Sequence, residues 1–117
     1  MWHGEPFTGV AFEESNGRVV EELSFVDGIQ HGVAREWYPS GRLRVEWHYY
    51  RNVRHGISRE FDENGRLASE AVHEYGIKTR ERRWEGDRLV ESYELPADDP
   101  RRDKLARRRE TEGWPAV

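Results

Sequence analysis

Apolar and polar residues alternate along much of this chain, in short runs that are separated by turn residues. The clearest run extends from residue 43 to residue 50, between the turn signals Ser40-Gly41 and Asn52. A period of two is typical of a β-strand, whose side chains point alternately to the two faces of a sheet. The pattern therefore predicts one face with Leu43, Val45, Trp47 and Tyr49, and an opposite face with Arg44, Glu46, His48 and Tyr50.

The turn residues recur at a fixed interval of 24 residues. Two series of turn positions have this spacing: Gly17, Gly41 and Gly65, and Gly28, Asn52 and Gly76. The dipeptide His31-Gly32 also recurs, as His55-Gly56. A fixed period of this length indicates a repeat architecture, in which each unit packs on its neighbours. Because glycine and asparagine adopt positive φ at low cost, we expect a tight turn at each position of the two series.

Each 24-residue unit contains two short alternating runs and two turn signals, so each unit is predicted to be a β-hairpin. Consecutive hairpins give an all-β fold, a single antiparallel meander sheet of about seven to eight strands. We assign residues 1–95 to this β-hairpin repeat domain and residues 96–117 to a short charged C-terminal α-helix and tail.

The segment after residue 95 has a different pattern. Residues 101–112 contain good helix formers and neither Gly nor Pro. Suitable capping residues flank them: Asp99, Pro100 and Gly113. Only Leu105 and Ala106 are apolar in this helix, so we expect it to pack loosely on the sheet or to be partly disordered. The sequence assigns no structural role to the tail that follows.

Composition and charge narrow the classes of function. Hydrophobic residues make up 35% and charged residues 36% of the chain, which suits a thin sheet with much of its surface in water. No Cys is present, which excludes disulfides, and the first residues lack a secretion signal, so we expect a cytoplasmic location. Residues 1–95 contain 13 Lys/Arg and 18 Asp/Glu, a net charge of −5. This acidic body argues against nucleic acid and membrane as partners.

Residues that could support catalysis or metal binding have simpler explanations in the repeat. His31 and His55 lie two strands apart, about 10 Å at the usual strand spacing, so they cannot share one zinc ion. The acidic columns, and the arginines expected to pair with them across strands, are Glu36, Glu60, Glu46, Glu70, Arg35, Arg44 and Arg59. The sequence contains no nucleophile elbow and no phosphate-binding glycine loop. We therefore expect neither enzymatic activity nor a metal or cofactor.

Aromatic residues are the strongest candidates for partner binding, because a single sheet leaves some rings exposed and large exposed patches mark interaction sites. The alternative for Trp37, Trp47, Tyr49 and Phe61 is a ladder of rings stacked along the sheet. Tyr38 and Tyr50 are expected on the opposite face, where their replacement would leave the sheet intact. The candidate partner-binding residues are Trp37, Tyr38, Arg44, Trp47, Tyr49, Tyr50 and Trp114.

Several recurring segments resemble a known repeat family. They are Pro6-Phe-Thr-Gly9, Asp27-Gly-Ile-Gln-His-Gly32, Trp37-Tyr-Pro-Ser-Gly-Arg-Leu43 and His55-Gly56. These segments are similar to the MORN-variant repeats of bacterial proteins, which are commonly described as antitoxins of the YwqK family. The resemblance covers about residues 6–95. It implies a MORN-like sheet and a toxin-neutralising or other protein-binding role, and it brings no catalytic residues with it.

The leading hypothesis is a non-enzymatic protein-binding module, most specifically a bacterial antitoxin or immunity protein that occludes a toxin or effector. A first alternative is a MORN-type scaffold or membrane-associated module. A second alternative is a repeat domain that presents a C-terminal tail, with Trp114-Pro115 as the recognised or modified element. Self-association through the sheet edges is a further option.

Overall fold

The computed structural model describes residues 6–117, which form one antiparallel β-sheet with a helix packed on it. The elements are β1 (Gly9–Ser15), β2 (Arg18–Val26), β3 (Ile29–Trp37), β4 (Leu43–Tyr50), β5 (Val53–Arg54), β6 (Gly56–Phe61), β7 (Leu67–Glu74), β8 (Ile77–Glu85), β9 (Arg88–Glu94) and α1 (Pro100–Thr111). The long strands lie side by side in chain order, and the two-residue β5 pairs with β4. The predicted antiparallel meander with a short C-terminal helix is confirmed.

The turns lie where the repeat predicts them. Both glycine series have positive φ, between 77° and 92°, and Asn52 has φ 68° in the second series. A left-handed conformation is open to Gly and tolerated by Asn, whereas a β-branched side chain strains it. The periodic turn residues are therefore requirements of the backbone.

A recurring β-bulge, which the sequence pattern did not reveal, interrupts the alternation of side chains. Val45 pairs with Glu36 and Leu43 pairs with Trp37, so Arg44 has no residue opposite it. The β6–β7 pair has the same irregularity one repeat later. Because a bulge re-aims side chains, Arg44 reaches Glu36 in an ion pair on the same face as Val45. The alternation predicted Leu43 on the same face of the sheet as Val45, and Arg44 on the other face. Both assignments are wrong because of the bulge.

The His-Gly motif joins each repeat to the next. In every case a side chain of one unit accepts a hydrogen bond from the turn N–H about twenty residues later. The three bonds are Asp27 N to Thr8 Oγ1 (2.8 Å), Arg51 N to His31 Nδ1 (3.1 Å) and Tyr75 N to His55 Nδ1 (3.0 Å). The repeated histidines thus satisfy backbone donors, as expected for a residue that supports a turn.

A row of alternating charge crosses the sheet from β2 to β8. Its members pair residue by residue along neighbouring strands: Glu22, Arg35, Glu46, Arg59, Glu70 and Arg82. Arg35 Nε lies 2.8 Å from a carboxylate oxygen of Glu46, and Arg59 Nε lies 2.9 Å from one of Glu70. Together with the Arg44–Glu36 pair, these contacts confirm the predicted cross-strand charge pairing for Glu36, Glu46 and Glu70. Glu60 forms no salt bridge among the described residues.

The helix and the tail pack on only one face of the sheet. We call this the tail face; it includes Tyr50 and the paired residues Ile57 and Val72. We call the opposite face, which includes Val45 and Trp47, the open face. Among residues 6–117, no element forms a second layer over the open face.

Helix α1 is firmly docked, which corrects the expectation that it would be loose or partly disordered. Leu105 is 0% exposed and packs with Leu95 and Tyr75, with Ile77 and Trp114 around them. The predicted N-cap is confirmed, since Asp99 accepts a hydrogen bond from Arg101 N. One apolar side chain suffices here because its apolar partners come from the β7–β8 turn and the end of β9. No helix in the described part of the chain has the length and hydropathy of a membrane span.

Candidate functional site

The open face has a shallow groove across β4, β6 and β7, next to the start of β8. Its cavity has a volume of about 180 Å³. Small residues form its floor, among them Ser58, Ser69 and Ala71, and larger side chains such as Trp47 and Arg54 form its walls. This contrast in size follows from the sequence, because successive strands supply different residues to the same row of the sheet.

The open face is well packed although no second layer from the described residues covers it. Ala34 is 1% exposed and Val45 is 4% exposed. Ala34 lies directly opposite Trp47 on the neighbouring strand, and Val45 lies between Glu36 and Glu60. Large side chains next to small ones in the same plane therefore remove the small ones from water. Burial on this face comes from in-plane neighbours, so the rings that provide it keep a surface toward solvent.

Trp47 and Arg54 form the centre of the groove. The guanidinium carbon of Arg54 lies 5.4 Å from the Trp47 ring centroid, which is a cation–π arrangement. Among residues 6–117, Arg54 makes no salt bridge. Tryptophan and arginine are the residue types that most often dominate binding energy at protein interfaces. The pair thus combines an apolar surface with five N–H donors in one place.

His73 adds a buried polar group to the same groove. Its Nδ1 atom is buried and has no hydrogen-bond partner among the residues described. Burial lowers the pKa of His73, and the nearby charges of Arg54 and Lys78 lower it further. The imidazole is therefore neutral near pH 7, and an unpaired buried nitrogen of this kind gains from any partner that can reach it.

Acidic residues flank the groove on the open face. Glu36 and Glu60 lie on either side of Val45 in the strand register. The hydrogen bond from Arg44 to Glu36 raises the pKa of the Arg44 guanidinium. The open face thus presents an aromatic and basic centre beside an acidic row, which can set the orientation of a charged partner.

The structure places three of the seven predicted partner-binding residues on the open face: Arg44, Trp47 and Tyr49. The alternative of one stacked ladder is wrong, because Trp37 and Trp47 lie on opposite faces. Trp47 pairs with Ala34, and Trp37 is three residues further along the same strand, so the alternation carries it to the tail face. Phe61 also lies on the tail face, since the adjacent Glu60 shares a face with Val45.

Tyr38, Tyr50 and Trp114 are engaged within the molecule. The Tyr38 hydroxyl donates a hydrogen bond to Phe61 O at 2.7 Å, which links two repeats. The Tyr50 ring lies on the tail face as predicted, but its centroid is 4.6 Å from that of Trp114. The expectation that Tyr38 and Tyr50 could be removed without affecting the sheet is therefore not supported by their contacts.

The tail has a structural role that the sequence did not reveal. The Trp114 ring stacks on Tyr75 at 4.6 Å, and its backbone N–H donates to the Tyr75 hydroxyl at 3.1 Å. Since His55 Nδ1 accepts from Tyr75 N, His55 Nε2 carries the proton and donates to Pro115 O at 2.6 Å. We call this arrangement of Tyr50, His55 and Tyr75 around Trp114 and Pro115 the His55 site.

An ion pair fixes the helix beside the His55 site. Arg109 contacts the carboxylate of Glu74 through two nitrogens, and the Nη2–Oε2 distance is 2.7 Å. The hydrogen bonds from Arg109 lower the pKa of the buried Glu74 carboxyl. Arg108 lies over the rings of Tyr75 and Trp114 at 5.1 and 5.9 Å. Charge and stacking together therefore hold the tail on the sheet.

Sequence reasoning missed Arg54 and His73 as groove residues, although a periodic signal existed for the first. A polar residue recurs every 24 residues, two positions after each turn of the second series: Gln30, Arg54 and Lys78. Arg54 and Lys78 both line the groove. This series of polar residues is distinct from the apolar positions of the strands, and its two basic members mark the basic side of the groove.

Comparison with known proteins agrees with this geometry. The family model for the MORN repeat variant matches twice, over residues 30–52 and 54–74. These two units begin 24 residues apart and cover the strands that form the groove. No curated protein and no solved structure matches the chain. Residues 30–52 and 54–74 thus match the MORN repeat variant, a type of repeat that suggests a scaffold or binding module.

Proposed function

We propose that this protein is a non-enzymatic protein-binding module whose open face docks on a partner protein. The observation that carries the proposal is the groove on that face, where Trp47 and Arg54 form a pair that no layer of residues 6–117 covers. A flat sheet face of this kind binds by covering a surface of its partner. The mechanism is then occlusion, in which the bound sheet prevents access to whatever lies beneath it.

The chemistry of the groove defines what the partner should supply. Arg54 favours a carboxylate or a group of carbonyl oxygens, and His73 favours a single polar atom that reaches the floor of the groove. Glu60, which lines the groove, favours a basic side chain at the rim of the same interface. The molecule measures 48 × 43 × 20 Å, so its broad face can supply the ~800 Å² that a partner contributes to a standard interface.

The more specific proposal is that the partner is a toxin or effector and that this protein is an antitoxin or immunity protein in the cytoplasm of a bacterium. The support is the resemblance of the repeats to YwqK-family segments, together with the acidic repeat body, whose net charge is −5 over residues 1–95. Acidic proteins of this size suit basic partners because opposite charge accelerates association.

Affinity capture with matched variants tests the proposal. The tagged wild-type chain, Arg54→Ala and the control Arg88→Ala are each used to capture partners from a lysate of the source cells, and a protein bound by the wild type is then purified. We expect Arg54→Ala to weaken its binding by about tenfold or more, as for other interface arginines. Arg88 lies on the exposed β8–β9 hairpin, so Arg88→Ala should bind normally. Equal binding by all three chains would exclude the open face.

The membrane-associated alternative has a separate test. A lipid-binding sheet needs a basic surface, whereas the repeat body is acidic. We expect no flotation of the full chain with vesicles that contain anionic lipid, even at low salt. Flotation that salt abolishes would favour the membrane-associated module over the protein-binding module.

A further inference from the structure

The 24-residue period produces a second site that matches the His55 site. The residues 24 positions before Tyr50, His55 and Tyr75 are Val26, His31 and Arg51. Val26, His31 and Arg51 line a cavity of about 430 Å³ on the tail face, together with Ile29 and Tyr50. We call it the His31 cavity.

The two histidines are held in the same way. His31 Nδ1 accepts the Arg51 N–H at 3.1 Å, as His55 Nδ1 accepts the Tyr75 N–H at 3.0 Å. The donor residues have nearly the same backbone conformation, with φ 47° for Arg51 and 51° for Tyr75. Because Nδ1 is the acceptor in both neutral rings, Nε2 is the donor in both. His55 Nε2 donates to Pro115 O, whereas His31 Nε2 has no partner among the described residues.

The walls of the His31 cavity suit an aromatic ring. Tyr50 belongs to both sites, since its ring lies 4.8 Å from His31 and 4.6 Å from Trp114. Arg51 replaces Tyr75 and can stack its guanidinium on a ring, as it already does on Tyr50 at 5.7 Å. Val26 and Ile29 are 44% and 48% exposed and form an apolar wall of the cavity. Through Tyr50, the His31 cavity thus adjoins the His55 site, which Trp114 occupies.

We propose that the His31 cavity binds an extended peptide segment of a partner protein, in which an aromatic side chain precedes a proline or another residue with a free carbonyl group. The ring lies between Val26 and Arg51, which take the positions of Tyr50 and Tyr75 in the His55 site. The carbonyl accepts the hydrogen bond of His31 Nε2. The chain's own Trp114-Pro115 makes these contacts one repeat away, which identifies the chemistry of the ligand. This site lies on the face opposite the groove, so it does not depend on the proposed function.

A partner fits this cavity better than the tail of a second copy does. Each copy's tail is held at its own His55 site by Trp114 stacking and by the Arg109–Glu74 ion pair. Donating that tail to a neighbour would lose these contacts in one place to gain fewer in another. A free peptide has no such contacts to lose.

A synthetic peptide provides the test. The probe has the sequence of residues 112–117, Glu-Gly-Trp-Pro-Ala-Val, with blocked ends and a fluorescent label, and it is titrated into the full chain while anisotropy is recorded. In parallel, nitrogen–proton NMR spectra follow the Arg51 amide and the His31 ring. We expect saturable binding that shifts both signals. The affinity of the same peptide with Trp114→Ala should be lower by about tenfold or more.

Three variants of the chain, Ile29→Lys, Leu89→Lys and Trp114→Ala, decide where the peptide binds. Ile29→Lys places a charge in an exposed wall of the cavity, so it should preserve the fold and weaken binding by about tenfold. Leu89→Lys, at an equally exposed position on the far hairpin, should leave binding unchanged. The proposal would be overturned if the peptide does not bind saturably, or if Ile29→Lys leaves its binding unchanged. It would also be overturned if the peptide binds only to a chain that itself carries Trp114→Ala, because the peptide would then occupy the His55 site. A concentration-dependent dimer that Ile29→Lys abolishes would identify a second copy as the occupant and overturn it as well.

Discussion

The two faces of this sheet are formed by the same strands, yet they are stabilised in different ways. On the open face, small residues such as Ala34 are buried by large neighbours in the plane of the sheet. On the tail face, Tyr75, Leu95 and Leu105 form a cluster only because α1 supplies a second layer. The difference shows that a single sheet can exclude water from its small side chains, but large apolar side chains need a second element.

The layered region is also the asymmetric one. The hydrogen bonds from the turns to His31 and His55 recur with the repeat, whereas the tail occupies only the His55 site, because Trp114 is the one aromatic residue of the tail. The docked tail and the groove of the proposed function therefore lie on opposite faces. The tail face holds the array together at its C-terminal end, and the open face remains accessible.

Removal of the Leu105 side chain should have the largest effect on stability. Leu105→Ala deletes a fully buried side chain between the helix and the sheet, and such changes cost about 2–5 kcal/mol. Thermal melting should show a large drop, with Trp114 fluorescence changing before the sheet signal in circular dichroism. The control Leu89→Ala, at a 51% exposed position, should melt like the parent. Equal melting of both variants would mean that the second layer contributes nothing.

The turn at Asn52 should be the next most sensitive position, and it tests the repeat without involving the tail. Asn52 has φ 68°, a conformation that costs a β-branched residue about 1–2 kcal/mol. Asn52→Val should therefore lower the melting temperature by several degrees, whereas Asn52→Gly should be tolerated. If the valine variant is as stable as the glycine variant, the left-handed turn is not required.

Acid should loosen the tail while the sheet persists. The pKa of Glu74 is lowered below its usual value of 4.5, so the stability from its ion pair is complete above pH 4.5 and is lost as pH falls through the lowered pKa. We expect up to about 1 kcal/mol, since Arg109 is half-exposed. Trp114 fluorescence measured from pH 7 to pH 2 should report the release. In Glu74→Gln this transition should be absent, and its persistence there would assign it to another group.

The smallest effect on stability is expected for Arg54→Ala on the open face. Arg54 contributes a cation–π contact and no salt bridge among the described residues, so its loss should cost about 1 kcal/mol or less. Melting and partner binding should then separate, with binding reduced much more than stability. If Arg54→Ala binds the partner normally but has a lowered melting temperature, the open face contributes to stability and not to partner binding.

Much of the fold was predictable because the repeat imposes local rules. Positive φ at Gly41, Asn52 and Gly65 follows from residue type and spacing alone. The faces were less predictable, because the bulge at Arg44 depends on the register between two strands and leaves no mark in the alternation. Docking of α1 was hidden for a similar reason, since Leu105 looks isolated until Tyr75 and Leu95 are brought to it by the sheet.

The alternating row of charge has a consequence for how proteins of this kind change length. Each unit contributes one arginine and one glutamate to the row, as in Arg35–Glu46 and Arg59–Glu70, so the insertion of a further unit adds no net charge to it. The His-Gly bond is also passed from one unit to the next without alteration. Tandem duplication of a 24-residue segment is then close to neutral, and binding area can grow in evolution by steps of one hairpin. A chain with residues 32–55 duplicated should fold with an unchanged tail, and loss of its cooperative melting would disprove this.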